Sequence, residues 1–240
     1  MLNDDELGHK SPSGCATMEI MFRMPLALAW LCFIASAQEV HPVTGRQIAP
    51  VMGVGGADWL VRSEREAEEA PDVALNAIGI PRGATVADIG AGAGYMTWRL
   101  AERVGASGKV YANDIQPEML RLLRTNMAAR RLANFEAVLG TDEDPRLPAG
   151  RMDLVLLVDV YHEFSQPQKM LRKIRESLKT DGRLVLLEYR KEDPAIPIRP
   201  EHKMSVAEVR AEVEPEGFRF EKNLTSLPRQ HILIFRKSSM

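Results

Sequence analysis

The stretch VADIGAGAGY at residues 86–95 decides the fold of this chain. An apolar run reaches an acid, Asp88, and three glycines follow at alternate positions, Gly90, Gly92 and Gly94. A buried parallel strand that turns sharply into a helix has this pattern. Glycine is needed where the backbone adopts a positive φ angle or approaches a ligand closely, and the first helical turn offers free N–H groups. The stretch predicts a cofactor-binding loop, although an ordinary tight strand–helix turn has the same composition.

The spacing of the glycines separates two classes of cofactor. A dinucleotide-binding loop has the order G-x-G-x-x-G, and counting from Gly90 its third glycine would fall on Tyr95. The observed order, two residues after Asp88, resembles motif I of the class I S-adenosylmethionine-dependent methyltransferases. In that family the acid and the glycines surround the amino-acid end of the cofactor. The resemblance therefore implies S-adenosyl-L-methionine as cofactor, bound by Asp88, the three glycines and Tyr95.

A second acid follows about one strand–helix–strand unit later. Residues 109–114 form a short strand pattern that ends at Asp114, 26 residues after Asp88. A carboxylate at this position binds the ribose hydroxyls in other doubly wound, nucleoside-binding folds. We therefore expect Asp114 and its neighbour Ile115 to contact the cofactor. Asp114 is also suited to capping the helix that Pro117 begins, and the two roles are compatible.

Two further strand ends supply candidate residues. Residues 135–139 predict a third strand, after which the resemblance implies a polar residue that binds adenine. Asp142 is our first choice and Thr141 the second, although the segment has ordinary loop composition. Residues 152–159 are almost wholly apolar, as in a central parallel strand, and they end at Asp159, which we add to the cofactor-binding residues.

A polar segment with His162 and Glu163 follows this fourth strand. The resemblance implies that such a segment lies beside the reactive methyl group. Methyl transfer from a sulfonium depends mainly on alignment, and a general base is needed only when the acceptor is protonated. His162 is the first candidate because histidine titrates near neutral pH, and Glu163 or His202 could serve instead. His162 could equally be a structural residue that caps the next helix.

The order of the elements predicts a single Rossmann-like, doubly wound α/β domain. A fifth apolar strand at 183–188 and a terminal hairpin at 218–224 and 230–236 complete a seven-stranded sheet. The expected strand order is 3-2-1-4-5-7-6, with strand 7 antiparallel. This terminal hairpin distinguishes the family that the chain resembles from the dehydrogenases.

Three units are predicted along the chain. Residues 1–37 are expected to form an extension with a targeting segment, residues 38–80 a loop and cap helices, and residues 81–240 the S-adenosylmethionine-binding domain. Within the second unit, a helix should run from Ala57 to about Glu69, and its charged run is expected to form a solvated face.

Two other segments could contribute to a substrate pocket. Trp59 and Arg62 are candidates for pocket residues, or else for packing and solvation respectively. The long stretch 189–204 is expected to be an irregular connector or a binding element near the pocket mouth. It ends before a capping box at Ser205, which predicts the start of a helix.

The composition restricts the classes of partner. The chain has 240 residues, 45% of them apolar, so it can bury one core, and its formal net charge is −2. Without a basic block, nucleic acid is not expected as the main partner. The histidines show no metal-ligand spacing, so the sequence predicts no metal site. The expected partner is a small-molecule methyl acceptor, and the oligomeric state remains open.

The N-terminal region resembles a signal peptide. Arg23 precedes an apolar run at 25–34, and residues 35–37 form an A-x-A cleavage site. The run is too short for a stable membrane span, so export to the periplasm is the first expectation. Both cysteines, Cys15 and Cys32, lie in this region, and cleavage would leave a chain without thiols. A cytoplasmic location is the alternative, because S-adenosylmethionine is made there.

The resemblance implies a methyltransferase of the small-molecule branch typified by the ubiquinone/menaquinone-biosynthesis enzymes. Three alternatives remain open from the sequence. One is a nucleotide-dependent oxidoreductase of Rossmann type, and another is a non-catalytic protein that only binds the cofactor. The third is a methyltransferase with a protein substrate, which would dock on the loop at 189–204. The glycine spacing and the terminal hairpin count against the first alternative.

Overall fold

The computed structural model describes residues 39–238 of the chain. Their strands form one mixed sheet of eight strands. The predicted targeting segment lies outside the described residues. The strands are β1 Thr85–Ile89, β2 Lys109–Asp114, β3 Phe135–Leu139, β4 Met152–Val158, β5 Leu178–Arg190, β6 Lys203–Met204, β7 Phe218–Leu224 and β8 Gln230–Lys237.

The order across the sheet is β3-β2-β1-β4-β5-β8-β7, with β6 paired to β5 off this path. The first five strands are parallel to their neighbours, and β8 is antiparallel to both β5 and β7. The predicted topology is therefore confirmed, and the strand count is one too low. The additional strand, β6, has only two residues and leaves no recognisable hydrophobic pattern.

Helices cover both faces of the sheet and bury two apolar cores, one around Leu75, Leu100 and Leu123 and the other around Leu171 and Val209. The helices are α1 Ala57–Leu60, α2 Arg65–Glu69, α3 Pro71–Ile78, α4 Thr97–Val104, α5 Pro117–Ala129, α6 Pro167–Ser177 and α7 Val206–Val213. In residues 39–238, none of the helices has the length and hydropathy needed to cross a bilayer.

The N-terminal helical region differs from its prediction in one respect. The single helix expected from Ala57 to Glu69 is broken into α1 and α2 by a turn at residues 61–64, after which Glu69 accepts a hydrogen bond from Tyr189 at the end of β5. Two other predicted helix starts hold: α3 begins at Pro71, and α7 begins after the capping box of Ser205 and Glu208. In that box, Ser205 Oγ accepts from the Glu208 N–H at 3.1 Å. The fifth strand, predicted at 183–188, is longer and covers Leu178–Arg190, so the stretch 189–204 is not wholly irregular.

The topology places one crevice where the strand order reverses. β1 lies between β2 and β4, so the loops that follow these three strands diverge at their carboxyl ends. Ligands of open α/β sheets bind at such a switch point. The glycine loop after β1 is thus in the position that a cofactor-binding loop requires.

Candidate active site

A cavity of about 660 Å³ occupies this crevice. Its volume is within the range of about 300–1,000 Å³ found for small-molecule sites. All of the predicted cofactor-binding and catalytic residues line it except Gly94 and Thr141. The fold therefore gathers residues from six separate loops around one space.

The glycine loop makes the wall beneath the end of β1. Gly90 has a φ of 68°, and a Cβ there would lie 2.4 Å from Val160 Cγ2, so no larger residue fits. Gly92 has a φ of 53°, and its N–H donates to Asp114 Oδ2 at 2.9 Å. The other carboxylate oxygen of Asp114 accepts from the Gln116 N–H at 2.9 Å. Asp114 thus ties the loop to the end of β2, and each of its oxygens keeps a further lone pair for a ligand.

Asp88 lies deeper in the same wall. Thr97 Oγ1 donates to its Oδ2 at 2.6 Å. Burial raises the pKa of Asp88 to about 7, although the bond from Thr97 opposes this shift. Burial also raises the pKa of Asp114, against the hydrogen bonds from Gln116 and Gly92. A cationic ligand would relieve the cost of ionising both groups.

Gly94 and Thr141 have other positions. Gly94, with a φ of 90°, lies where the chain passes α5, and a Cβ there would be 3.1 Å from Leu123 Cγ. It therefore allows helix packing behind the loop. Thr141 Oγ1 accepts from the Asp144 N–H at 3.1 Å and so closes a local turn. Asp142, our first choice for the adenine-binding residue, does line the cavity.

A buried ionic network borders the glycine loop, since the Arg65 guanidinium lies 4.1 Å from the centre of the Tyr95 ring. Arg65 and Glu69 are only 6% and 3% exposed, and Arg65 Nε donates to both Glu69 oxygens at 2.7 and 2.8 Å. Tyr189 Oη also donates to Glu69, at 2.9 Å. The expectation of a solvated helix face is therefore wrong for these two residues. Periodicity cannot reveal that this face of α2 packs on β5 rather than facing water.

Asp159 joins this network at the end of β4. It has a φ of 50°, and its Oδ2 accepts from Gln230 Nε2 at 2.7 Å. Its Oδ1 is buried and has no hydrogen-bond partner among the described residues. Burial raises the pKa of Asp159, and the charges of Glu69 and Glu188 add to that effect. A left-handed backbone and an unpaired buried oxygen are both costly, as is common at ligand sites.

The three predicted catalytic residues come together at the far end of the cavity. His162 and Glu163 lie in a 3₁₀ turn, Tyr161–Glu163, and His202 ends another, Pro200–His202. His162 Nε2 is 3.1 Å from His202 Nδ1, and His162 Nδ1 is 2.6 Å from Glu188 Oε2. The short strand β6 pairs with the end of β5 and so carries His202 to this edge.

The surroundings of these groups shift their pKa values in different directions. Burial opposes protonation of His162, but the adjacent charge and hydrogen bond of Glu188 raise its pKa. Burial and the neighbouring His162 lower the pKa of His202. Burial raises the pKa of Glu163 to about 7, with the charge of His162 opposing it. Clusters of shifted groups in a cavity are typical of functional sites.

The backbone of His162 is held by the N-terminal segment. Arg46 Nη1 and the Ala49 N–H both donate to the His162 carbonyl oxygen, at 3.0 and 3.1 Å. Arg46 is itself bound by the buried carboxylate of Glu212, with Nε 2.9 Å from Oε1. His162 is therefore fixed through its main chain as well as through its ring.

Comparison with known proteins identifies the family to which this fold belongs. A family model described as a methyltransferase domain matches residues 80–222. The chain belongs to the class I S-adenosylmethionine-dependent methyltransferases. The predicted family resemblance is thereby confirmed.

Three relatives show the extent of the similarity. A structure of an S-adenosylmethionine-dependent methyltransferase from Aquifex aeolicus superposes with a TM-score of 0.73 at 26% identity, over 77% of this chain and 98% of that one. The mitomycin 7-O-methyltransferase MmcR gives a TM-score of 0.60 at 25% identity, over 73% of this chain and 55% of that one. The ubiquinone/menaquinone biosynthesis C-methyltransferase UbiE of Escherichia fergusonii is 30% identical over 118 residues, 49% of this chain. The aligned region is about half the length of the curated relatives that the chain matches.

Two residues of this candidate site were not singled out from the sequence. Glu188 was predicted only as the last residue of the fifth strand. A single acid at the end of an apolar run could have marked it as a candidate site residue. Arg65 was not distinguished from the other charged residues of the run at 62–69. Of the two residues considered for the pocket, Trp59 lines the cavity, whereas Arg62 stacks on the Trp59 ring and pairs with Glu68.

Proposed function

We propose that this chain transfers a methyl group from S-adenosylmethionine to a small-molecule acceptor with an oxygen, carbon or nitrogen nucleophile. The observation that carries the proposal is a single cavity that joins the glycine loop to the His162, Glu163 and His202 cluster. One end suits the cofactor, and the other offers ionisable groups to an acceptor. Family membership supports the same activity.

The charge of the cavity suits a cationic cofactor. Five carboxyl groups but only two guanidinium groups line it among the described residues, namely Asp88, Asp114, Asp142, Asp159 and Glu163 against Arg65 and Arg199. S-adenosylmethionine supplies, when bound, a methyl group on a positively charged sulfur. A nicotinamide dinucleotide would instead bring a pyrophosphate into a cavity rich in acids, which costs electrostatic energy. This balance disfavours the oxidoreductase alternative.

We assign the cofactor contacts to the strand ends. The backbone of the loop at Gly90 and Gly92 allows close approach, Asp114 keeps free lone pairs for the ribose hydroxyls, and Asp142 is our candidate for the adenine amino group. The orphaned Oδ1 of Asp159 offers a further hydrogen-bonding atom to a polar group of the ligand. These assignments follow the family pattern, and each is a proposal for this chain.

The acceptor end combines apolar walls with the histidine cluster. Met52, Trp59 and Leu60 contribute one side, and Pro197 and Ile198 contribute another. The N-terminal segment is held over the cavity by Gln116, whose Nε2 donates to the Met52 carbonyl at 2.9 Å. Such walls exclude water and favour a planar or lipophilic acceptor. The two relatives named for ubiquinone/menaquinone biosynthesis and for mitomycin 7-O-methylation are consistent with that class.

The chemical task of the protein is alignment. The nucleophile must approach the methyl carbon in line with the departing sulfur, and orientation alone can lower the barrier by about 7–11 kcal/mol. For an acceptor that must lose a proton, the bond from His162 Nδ1 to Glu188 leaves the proton-accepting lone pair on His162 Nε2, which lies 3.1 Å from His202 Nδ1. His202 and Glu163 are alternative proton acceptors in the same cluster.

A binding titration followed by an acceptor screen tests this proposal. The full chain should bind S-adenosylmethionine and S-adenosylhomocysteine at micromolar concentrations and should not bind NADH. Quinols, phenols and catechols would then be screened for transfer of a labelled methyl group. Binding of NADH but not of S-adenosylmethionine would refute the cofactor assignment. Binding of S-adenosylmethionine without methyl transfer to any acceptor would favour the non-catalytic alternative.

The site variant His162→Ala refines the test. It should lower turnover while cofactor affinity changes little, because His162 lies beyond the glycine loop. Wild-type turnover in this variant would remove His162 from the catalytic residues.

We also propose that the N-terminal segment directs export, with cleavage after residue 37. The A-x-A sequence supports this proposal, and the cytoplasmic origin of S-adenosylmethionine is the reason to test it. Cell fractionation with N-terminal sequencing of the purified protein would decide. A chain that keeps residues 1–37 in the cytoplasm would refute export.

A further inference from the structure

The three residues at the acceptor end offer metal-binding atoms in close proximity. One ligand atom from each of His162, Glu163 and His202 lies within 4.8 Å of the other two. The two imidazole rings meet edge-on, at an interplanar angle of 83° with centroids 5.0 Å apart. The sequence predicted no metal site because its test was local spacing, and His162 and His202 are 40 residues apart.

We propose that His162, Glu163 and His202 bind one divalent transition-metal ion, which holds the nucleophilic oxygen of the methyl acceptor. That the ion binds is inferred from the geometry of the three side chains alone. That the ion holds the methyl acceptor rests on the proposed function.

The separation of the two nitrogens suits shared coordination. Imidazole nitrogens bind such ions at about 2.0–2.1 Å, so two neighbouring ligands on one ion are about 2.9–3.4 Å apart. His162 Nε2 and His202 Nδ1 are 3.1 Å apart. A direct hydrogen bond between the rings explains the same distance, so metal binding itself must be measured.

The buried carboxylate of Glu188 provides the support that metal-binding histidines usually have. It lies 2.6 Å from His162 Nδ1 and accepts from the Tyr161 N–H at 3.0 Å. A carboxylate accepts hydrogen bonds, so the proton belongs on Nδ1 and the lone pair on Nε2. This carboxylate–histidine arrangement orients the ring and increases its basicity toward a metal.

The third ligand contributes negative charge that the protein does not neutralise with a lysine or arginine. Among residues 39–238, Glu163 forms no ion pair with either type of side chain. Burial makes a half-buried carboxyl group costly to ionise, and the charge of His162 offsets only part of this cost. A bound divalent ion would lower it further.

The ligand set indicates the class of metal. Two imidazoles and one carboxylate favour zinc, cobalt, manganese or iron(II) over magnesium and calcium, which prefer oxygen ligands. Three protein ligands leave coordination positions open, as in catalytic sites. The cavity supplies the space for an acceptor at those positions.

An ion at this place would replace a general base. Coordination lowers the pKa of an acceptor hydroxyl, so its O–H bond breaks and the proton leaves to water. A lone pair of that oxygen then forms the bond to the methyl carbon of S-adenosylmethionine. The carbon–sulfur bond breaks at the same time, and its electron pair stays on sulfur, which becomes neutral.

Titration of the metal alone tests the site without any acceptor. Full-length protein, freed of metal with a chelator, would be titrated with Zn²⁺ by calorimetry and with Co²⁺ by visible absorption. We expect the wild type to bind one ion and the double variant His202→Ala, Glu163→Gln to bind none. Each single substitution should weaken the affinity for the metal at least about tenfold. His231→Gln is the matched control, because His231 pairs with a carboxylate, Glu192, outside the cavity. It should bind like the wild type.

Three outcomes would overturn the proposal: no binding by the wild type at 100-fold excess of metal, an unchanged affinity in the double variant, or an equal loss in the His231 control. Circular dichroism would confirm that each variant folds. S-adenosylhomocysteine affinity, measured on the same samples, separates the two hypotheses. If the wild type binds S-adenosylhomocysteine but no metal, only the metal site is refuted. If the wild type does not bind S-adenosylhomocysteine, the proposed function is refuted.

Discussion

Replacing Glu188 by glutamine should move a proton from one nitrogen of His162 to the other. Glu188 is fully buried and its two oxygens accept from different donors, the Tyr161 N–H at 3.0 Å and His162 Nδ1 at 2.6 Å. Glutamine has only one acceptor oxygen. The backbone N–H of Tyr161 cannot change its polarity, so the amide oxygen should face it and the NH₂ group should face His162. Nδ1 must then become an acceptor, and the proton must move to Nε2.

The magnitude follows from the bonds that change. A hydrogen bond to a charged group contributes about 1.5–3 kcal/mol, and a neutral one contributes about 0.5–1.5 kcal/mol. Glu188→Gln exchanges a charged acceptor for neutral ones without leaving a gap. We expect the free energy of unfolding to fall by about 1–2 kcal/mol. Loss of the Nε2 lone pair should also lower turnover by about 10²–10⁴-fold if His162 acts as a base.

The pH dependence of this loss has a definite sign. The pKa of His162 is raised in the folded protein by Glu188, against the effect of burial. The stabilisation from protonated His162 is therefore complete below the unfolded pKa of about 6.5 and is lost as the pH rises through the folded pKa. The difference between wild type and variant should be larger at pH 6 than at pH 9.

Nitrogen NMR and denaturant unfolding measure the two effects. The ¹⁵N shifts of His162, assigned with a His162→Gln sample after metal removal, should show the proton on Nδ1 in the wild type and on Nε2 in the variant. Glu192→Gln is the matched control, since Glu192 accepts from His231 Nε2 and from the Val206 N–H but is half exposed. Glu192→Gln should lower the free energy of unfolding by less than about 1 kcal/mol. An unchanged tautomer in Glu188→Gln, or equal losses in the two variants, would refute the reasoning.

Three further predictions concern the cofactor loop. Asp114→Ala should weaken S-adenosylmethionine about ten- to hundredfold, because charge-assisted hydrogen bonds are lost, and unchanged affinity in calorimetry would remove the ribose assignment. Gly92→Val should abolish binding while circular dichroism shows a folded domain, whereas Gly53→Val, which adds atoms in open space, should bind normally; normal binding by both variants would mean that the loop is not the cofactor site. S-adenosylhomocysteine affinity should rise from pH 6 to pH 8, because a bound ammonium group favours ionised Asp88, whose pKa is about 7. Asp88→Asn should abolish that rise, and an identical pH profile in the variant would exclude Asp88 as its source.

The cavity wall around the glycine loop was largely predictable because it depends on local sequence. An apolar strand followed by an acid and alternating glycines specifies both a backbone shape and a place in the sheet. The carboxyl ends of parallel strands meet at one edge, so Asp88, Asp114 and Asp159 could be assigned to a common crevice before any contact was known. The structure places all three there.

The acceptor half depends on contacts between distant segments. His202 reaches His162 only because the two-residue strand β6 pairs with β5, and so short a strand has no periodicity to detect. Arg65 and Glu69 have the spacing of an exposed helical pair, and the packing of α2 against the sheet made them a buried one.

The sequence by itself determined the strand order, the family and the place of the glycine loop, because hydrophobic period, glycine spacing and turn chemistry act over a few neighbouring residues. Only the tertiary structure decided that Glu188 orients His162, that Glu163 and His202 complete a cluster with it, and that an ionic network borders the cavity. These features arise from side chains far apart in the chain, whose burial and charge have meaning only after the sheet and its helices have packed.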